Sequence, residues 1–172
     1  MIAKAQLNQN NKSLRYLKGD ATQPIGTGPR VIVHCCNDVG AWGKGFVLAL
    51  SRRWKRPQTE YRNWYHLGRI NGNPPFKLGQ VQFVEVEPEL WVANLIGQHD
   101  IHGRGSVPPI RYSAIKEGLA RVREFAQARK GTSVHLPRIG AGLAGGDWNT
   151  ISQLIEQELT AHDIPVTVYS LT

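Results

Sequence analysis

Two glycine-rich segments hold most of the chemistry this chain can offer. Gly40-Ala41-Trp42-Gly43-Lys44-Gly45 follows the apolar, β-branched run Val31 to Cys36, and Gly140 to Gly146 follows a second strand-like run, Ser133 to Ile139. Residues at helical spacing come after each loop. Where a strand hands over to a helix, free amides point outward with the positive end of the helix dipole behind them, and glycine lets an anion approach the backbone. Both segments are therefore candidate anion cradles, and a pair of them could clasp a diphosphate from two sides. Ligands of open α/β sheets collect at such strand ends.

Neither loop carries a complete nucleotide fingerprint. Gly140 to Gly145 satisfies G-x-G-x-x-G in form, but that motif belongs to the first βαβ unit and needs an acidic residue about 20 positions later, at the end of a second strand. Here a single strand remains, and Asp163 precedes it. GAWGKG departs from the phosphate-loop pattern because Gly45 and Phe46 follow Lys44. Among titratable groups, the loop Gln98-His99-Asp100 leaves a strand-like run, and histidine suits acid or base work near neutral pH. Asp38 and Asp147 flank the glycine loops. The six histidines show no paired Cys/His spacing, so no metal site is expected, nor a cofactor. The two cysteines, Cys35 and Cys36, are adjacent on a strand and face opposite sides, which makes a poor disulfide and fits a reducing compartment.

The elements that must position these groups follow from periodicity. Leu14 to Leu17 reads as a short strand closed by Gly19-Asp20, and Val31 to Cys36 as a strand buried on both faces. Phe46, Ala49 and Leu50 recur at helical spacing. Tyr61, Trp64 and Tyr65 suggest a further helical stretch before the loop NGNPP. Val81 to Val86 and Leu90 to Ile96 read as an antiparallel hairpin linked through Pro88. From Ile110 the chain turns helical, with Ile115, Leu119, Val122 and Ala126 on one stripe and Gly131 as its stop. After the second loop, Asp147 stands at an N-cap position before a helix that carries Ile151, Leu154, Ile155 and Leu159, and Pro165 to Leu171 closes the chain as a strand. This order predicts one three-layer α/β/α unit with a mixed central sheet.

With 172 residues, 41% hydrophobic and 20% charged, the chain suits one cored domain over 14–172 behind a polar N-terminal extension, 1–13. No run approaches the ~20 apolar residues of a membrane span, and MIAKAQLNQNNKS lacks the apolar stretch of a secretory signal, so a cytoplasmic protein with no membrane partner is expected. The formal charge of +8 means a surface that attracts anions, from nucleotides to nucleic acid. The basic groups Arg52 to Arg56 and Arg121 to Lys130 read most simply as solvated helix faces.

Four segments, in register, resemble the macrodomain family. Gly19-Asp20-Ala21-Thr22 is similar to its G-D-[IA]-T signature, and His34-Cys35-Cys36-Asn37 stands where the family has N-A-A-N at a strand end. Gly43-Lys44-Gly45-Phe46-Val47 resembles its G-G-G-V-A loop, and Pro137 to Gly145 its P-x-[IL]-[SG]-[TAC]-G-[IL]-x-G loop. His34 in place of the first Asn, with Trp148 after the second loop, is closest to the branch of ADP-ribose-1''-phosphate phosphatase and terminal ADP-ribose protein glycohydrolase. The resemblance implies ADP-ribose as ligand. Asp20 would accept from the adenine amino group, the Ala21 amide would help place the nucleoside, and Asn37 would contact the distal ribose. Gly43, Lys44, Gly45 and Phe46, with Gly140, Ala141, Gly142, Leu143, Ala144 and Gly145, would line the diphosphate and distal ribose. The plainer readings are a turn for Asp20, a strand-end cap for Asn37, a core position for His34 and Trp148, and a solvent-facing Lys44.

The glycohydrolase chemistry implied by that branch uses a lysine nucleophile and an aspartate in the second loop. Aligned on NLIGQ, the lysine position falls near Gln98 and the aspartate position on Ala144, and a glutamine cannot form the covalent intermediate. The candidate catalytic residues are instead Asn37, orienting water towards the distal ribose, His99, and Asp147 beside the second loop. Two functions stay open: a hydrolase of ADP-ribose derivatives, and a reader that only binds ADP-ribosylated protein or nucleic acid. The basic surface keeps nucleic acid open as the modified substrate.

Overall fold

Val31, Ile32 and Val33 are shut from solvent on both sides of their strand, so the sheet around them must be covered above and below. That strand is β2 (Arg30–Asn37). With β1 (Arg15–Lys18), β3 (Val81–Glu87), β4 (Leu90–Gln98), β5 (Ser133–Leu136) and β6 (Val166–Ser170) it forms a six-stranded sheet in the order β1-β6-β5-β2-β4-β3. The computed structural model describes residues 13–68 and 74–172. All neighbouring strands are parallel except β3, which pairs antiparallel with β4 through the turn at Pro88-Glu89. The mixed sheet expected from the order of elements is present. The expected extension 1–13, through residue 12, and the NGN of the NGNPP loop lie outside the described residues.

Alternate residues of β2 and β4 supply two separate cores. Ile32, Cys36, Val92 and Ile96 pack under helices α1 (Phe46–Arg53) and α2 (Arg56–Leu67) with Leu50, Tyr61 and Trp64. Val31, Val33, Ala93 and Leu95 pack under α3 (Tyr112–Gln127) and α4 (Trp148–Glu158) with Ile115, Leu119, Ile151 and Ile155. Each such fully buried Ile or Leu stabilises the fold by about 2 kcal/mol. Three layers result, as the periodicity required.

Some boundaries differ from the sequence expectation, for local reasons. β5 stops at Leu136 rather than Ile139 because Pro137 has no amide to continue the ladder. α3 begins at Tyr112, two residues after Ile110, since Arg111 is still extended. It ends at Gln127, and Gly131, at φ 85°, finishes the turn beyond it instead of capping the helix. The parallel arrangement brings the C-terminal ends of β1, β6, β5, β2 and β4 to one edge of the sheet. Both glycine loops leave from that edge.

Candidate functional site

The first loop is held open by one asparagine. Asn37, the last residue of β2, accepts the Val39 and Ala41 amides on Oδ1 at 3.0 Å each and donates from Nδ2 to the Ala41 carbonyl at 2.8 Å. Tyr61 of α2 adds its hydroxyl, 2.6 Å from the Asn37 carbonyl and 2.9 Å from Oδ1. Burial pushes the Tyr61 phenol up, so it remains a donor. The capping reading of Asn37 is thus seen directly, and one Nδ2 hydrogen is left without a partner among the described residues. Gly40 sits at φ 76°, and a Cβ there would stand 2.3 Å from the Tyr65 ring. Only glycine fits. The loop runs into α1 through Gly45, at φ 82°, with no side chain capping the helix. Leu48 N donates to the Gly45 carbonyl at 3.1 Å, which leaves the Phe46 and Val47 amides of the first turn for an anion.

The second loop is closed by its own backbone. Gly146 N donates to Gly140 O at 2.7 Å, Gly145 N to Gly142 O at 3.0 Å, and Ile110 N to Ala144 O at 3.1 Å. Gly140 sits at φ 70°. Unlike the first loop, it does not offer a free helix end. Asp147 caps α4, accepting from Thr150 N at 3.1 Å and Thr150 Oγ1 at 2.9 Å, and those bonds hold its carboxyl below the usual range. Any anion bound by this loop would meet loop amides.

The two loops face each other. A Cβ on Gly45 would lie 3.6 Å from Leu143 Cδ1, so they meet across a cleft of about 640 Å³. Its walls are Asn37, Gly43, Lys44, Gly45 and Phe46 on one side and Gly140, Gly142, Leu143 and Ala144 on the other, with Gln98, Ile101 and His102 at the end of β4. Lys44 is exposed. His34 forms part of the floor, buried, with Nε2 2.5 Å from Asn94 Oδ1. Burial lowers its pKa to about 4, so it is neutral. Cys35, also at the floor, is pushed up to about 12 by burial and is no thiolate nucleophile.

Other expected site residues stand apart from the lining. Asp20 accepts from Thr22 N and Thr22 Oγ1, both at 2.8 Å, and shapes the turn after β1, while Ala21 is buried. Ala141 and Gly145 belong to the second loop without lining the cleft, and exposed Asp147 is occupied at its cap. His99 is not itself in the lining but follows the lining residue Gln98, with its Nδ1 2.7 Å from Asp38 Oδ2. Gln98 donates to the Asp100 carbonyl at 2.9 Å. Sequence reasoning passed over Tyr61 as a helical aromatic, and gave Ile101 and His102 no role. Nothing in their spacing ties them to Asn37 or to the loops.

No family model matches the chain. It is 33% identical to mouse (Mus musculus) chromodomain-helicase-DNA-binding protein 1-like over 93% of this chain, and spans 18% of that protein's length. It is 33% identical to the human (Homo sapiens) ADP-ribose glycohydrolase OARD1, covering 97% of this chain and 99% of that one. Among solved structures, a macrodomain protein from Streptomyces coelicolor superposes with a TM-score of 0.79 at 51% identity, over 92% of this chain and 99% of the other.

Proposed function

The chain belongs to the macrodomain family, and on that premise we propose that residues 14–172 bind ADP-ribose in the cleft and hydrolyse an ADP-ribose derivative. The observation that carries this reading is the approach of Gly45 to Leu143 across the cleft. Two glycine loops set that close can hold a diphosphate between the α1 first-turn amides and the amides of the second loop. The adenosine then extends towards Asp20 and Ala21 at the end of β1, and the distal ribose towards Asn37, whose remaining Nδ2 hydrogen donates to a ribose hydroxyl. His99, fixed by Asp38, is the acid–base group that activates water, with the ligand's diphosphate assisting. Asp147 acts from its cap by holding the second loop in place.

The scissile group is either a bond to a macromolecule or the 1''-phosphate of ADP-ribose-1''-phosphate. A cytoplasmic setting fits the unpaired Cys35 and Cys36. One observation favours the alternative of a reader that binds without turnover. Gln98 and Ala144, at or near which the lysine and aspartate positions of the resembling glycohydrolase fall by alignment, line the cleft, and neither side chain can perform those steps.

Incubation with mono-ADP-ribosylated protein, ADP-ribosylated DNA and ADP-ribose-1''-phosphate, beside calorimetry with free ADP-ribose, separates the two. Turnover abolished by His99→Ala supports the hydrolase. Tight binding with no turnover of any of the three supports the reader, and no binding of ADP-ribose defeats both.

A further inference from the structure

Three side chains from three elements meet at one corner of the cleft. Tyr16 of β1 is 53% exposed, Arg138 follows β5, and Trp148 opens α4. The Arg138 guanidinium carbon lies 5.6 Å from the centre of the Tyr16 ring and 5.5 Å from that of Trp148, and Trp148 Nε1 donates to the Tyr16 hydroxyl at 3.1 Å. Trp148 packs its inner side on the core under α3 and α4, so the rings are anchored from below. Arg138 also lines the cleft, which makes the corner continuous with it. Lys18, two residues beyond Tyr16 and on the same face of β1, is exposed.

We propose that this corner is a stacking platform for an unpaired base of a single-stranded nucleic acid that carries the ADP-ribose. The inference rests on the reading of the cleft as an ADP-ribose site, since the platform's task is to hold a nucleotide beside the modified one. A guanidinium fixed over aromatic rings is a flat, weakly hydrated cation, and bases stack on such planes as readily as on the rings themselves. Arg138 and Lys18 lie where the flanking phosphates would run, and the net charge of +8 attracts them. The neighbouring acid, Asp147, has its carboxylate engaged by Thr150. A duplex hides its base faces within the stack, so a single strand is the form that fits. An aromatic pair needed only for packing would be covered, whereas the bond between Trp148 and Tyr16 orders the rings and leaves more than half of Tyr16 in solvent.

The test is fluorescence anisotropy of the full chain with a labelled, unmodified single-stranded DNA of about 12 nucleotides. The same strand as a duplex and a mono-ADP-ribosylated peptide are titrated in parallel, and free ADP-ribose is followed by calorimetry. Tyr16→Ala removes a ring and no charge. It should weaken single-strand binding about tenfold, Tyr16→Phe should restore it to within about twofold, and free ADP-ribose should bind unchanged. Single-strand binding that is absent, or that Tyr16→Ala leaves intact because charge alone drives it, overturns the proposal. So does an effect of Tyr16→Ala confined to the modified peptide, which would assign the corner to a protein carrier. Failure of free ADP-ribose to bind, with Tyr16-dependent binding of the strand preserved, would overturn the reading of the cleft and leave the platform standing.

Discussion

His99 Nδ1 lies 2.7 Å from Asp38 Oδ2, and the other oxygen of that carboxylate accepts the Asp100 amide at 2.7 Å. One carboxylate on the loop after β2 thus ties down two consecutive residues after β4. Asp100 itself sits at a positive φ of 61°. An ionised carboxylate can only accept, so in the neutral ring the proton sits on Nδ1 and Nε2 is left as the base. The Asp38 side chain is mostly covered while that of His99 is half open, which suits a fixed anchor and a group that meets substrate.

That geometry predicts that Asp38→Asn slows hydrolysis as severely as His99→Ala. The Asp100 amide keeps its claim on an acceptor, so the new amide turns its oxygen there and its NH2 towards His99. Nδ1 must then accept, Nε2 carries the proton, and the free base is lost. Both variants should lower kcat by about 100-fold or more, the scale of general acid–base catalysis, with free ADP-ribose still bound. Single-turnover assays decide it, and an Asp38→Asn protein as fast as wild type removes His99 from the reaction.

Tyr61→Phe deletes a single oxygen whose work is to fasten Asn37. Tyr61 is fully buried, and its loss leaves the Asn37 carbonyl short of a donor. The expected cost is about 1–3 kcal/mol in urea unfolding, together with weaker ADP-ribose binding as the first loop loosens. Unchanged affinity in a correctly folded variant would show that loop 1 keeps its shape without α2.

The fold was more legible than these contacts. Val31 to Cys36 announces a strand buried on both faces because every residue in it except His34 is apolar, and Ile115, Leu119, Val122 and Ala126 announce a helix because their spacing makes one stripe. The glycine loops were visible because turns of this kind restrict residue choice. Asp38 and His99 are 61 positions apart, and Tyr16 and Trp148 are 132 apart. They meet only because β4 lies beside β2, and because β1 lies at the edge next to β6. Strand order of that kind is a property of whole-sheet packing and leaves no local trace in the residues it joins.

The second loop offers a contrast between two neighbouring glycines. A Cβ on Gly146 would stand 2.6 Å from the Gly140 carbonyl oxygen, and backbone cannot step aside as a side chain can. Gly146→Ala should destabilise the protein by more than about 2 kcal/mol. Gly142 has open space where its Cβ would point and lines the cleft. Gly142→Ala should melt like wild type yet bind ADP-ribose about tenfold more weakly, a loss of about 1.4 kcal/mol. Calorimetry beside thermal melts reads both, and full affinity in Gly142→Ala would place the diphosphate away from this loop.

The last prediction concerns acid. Burial lowers the pKa of His34 to about 4 against a partly opposing bond from Asn94, and burial with the nearby Arg30 charge does the same for His135. Both start from an ordinary value of 6.5, so between about pH 6.5 and pH 4 the unfolded chain holds protons on these rings that the folded chain refuses. Stability therefore rises with pH across that window and is lost as pH falls through it. Each ring contributes on the order of a few kcal/mol, and a domain of this size has about 5–15 kcal/mol in all, so two such groups are enough to make the fold marginal near the bottom of the window. Urea midpoints should be level above about pH 7 and fall steeply by about pH 5. A midpoint that holds or climbs on acidification would mean that these rings take up protons within the folded protein, and that the floor of the cleft is open to water.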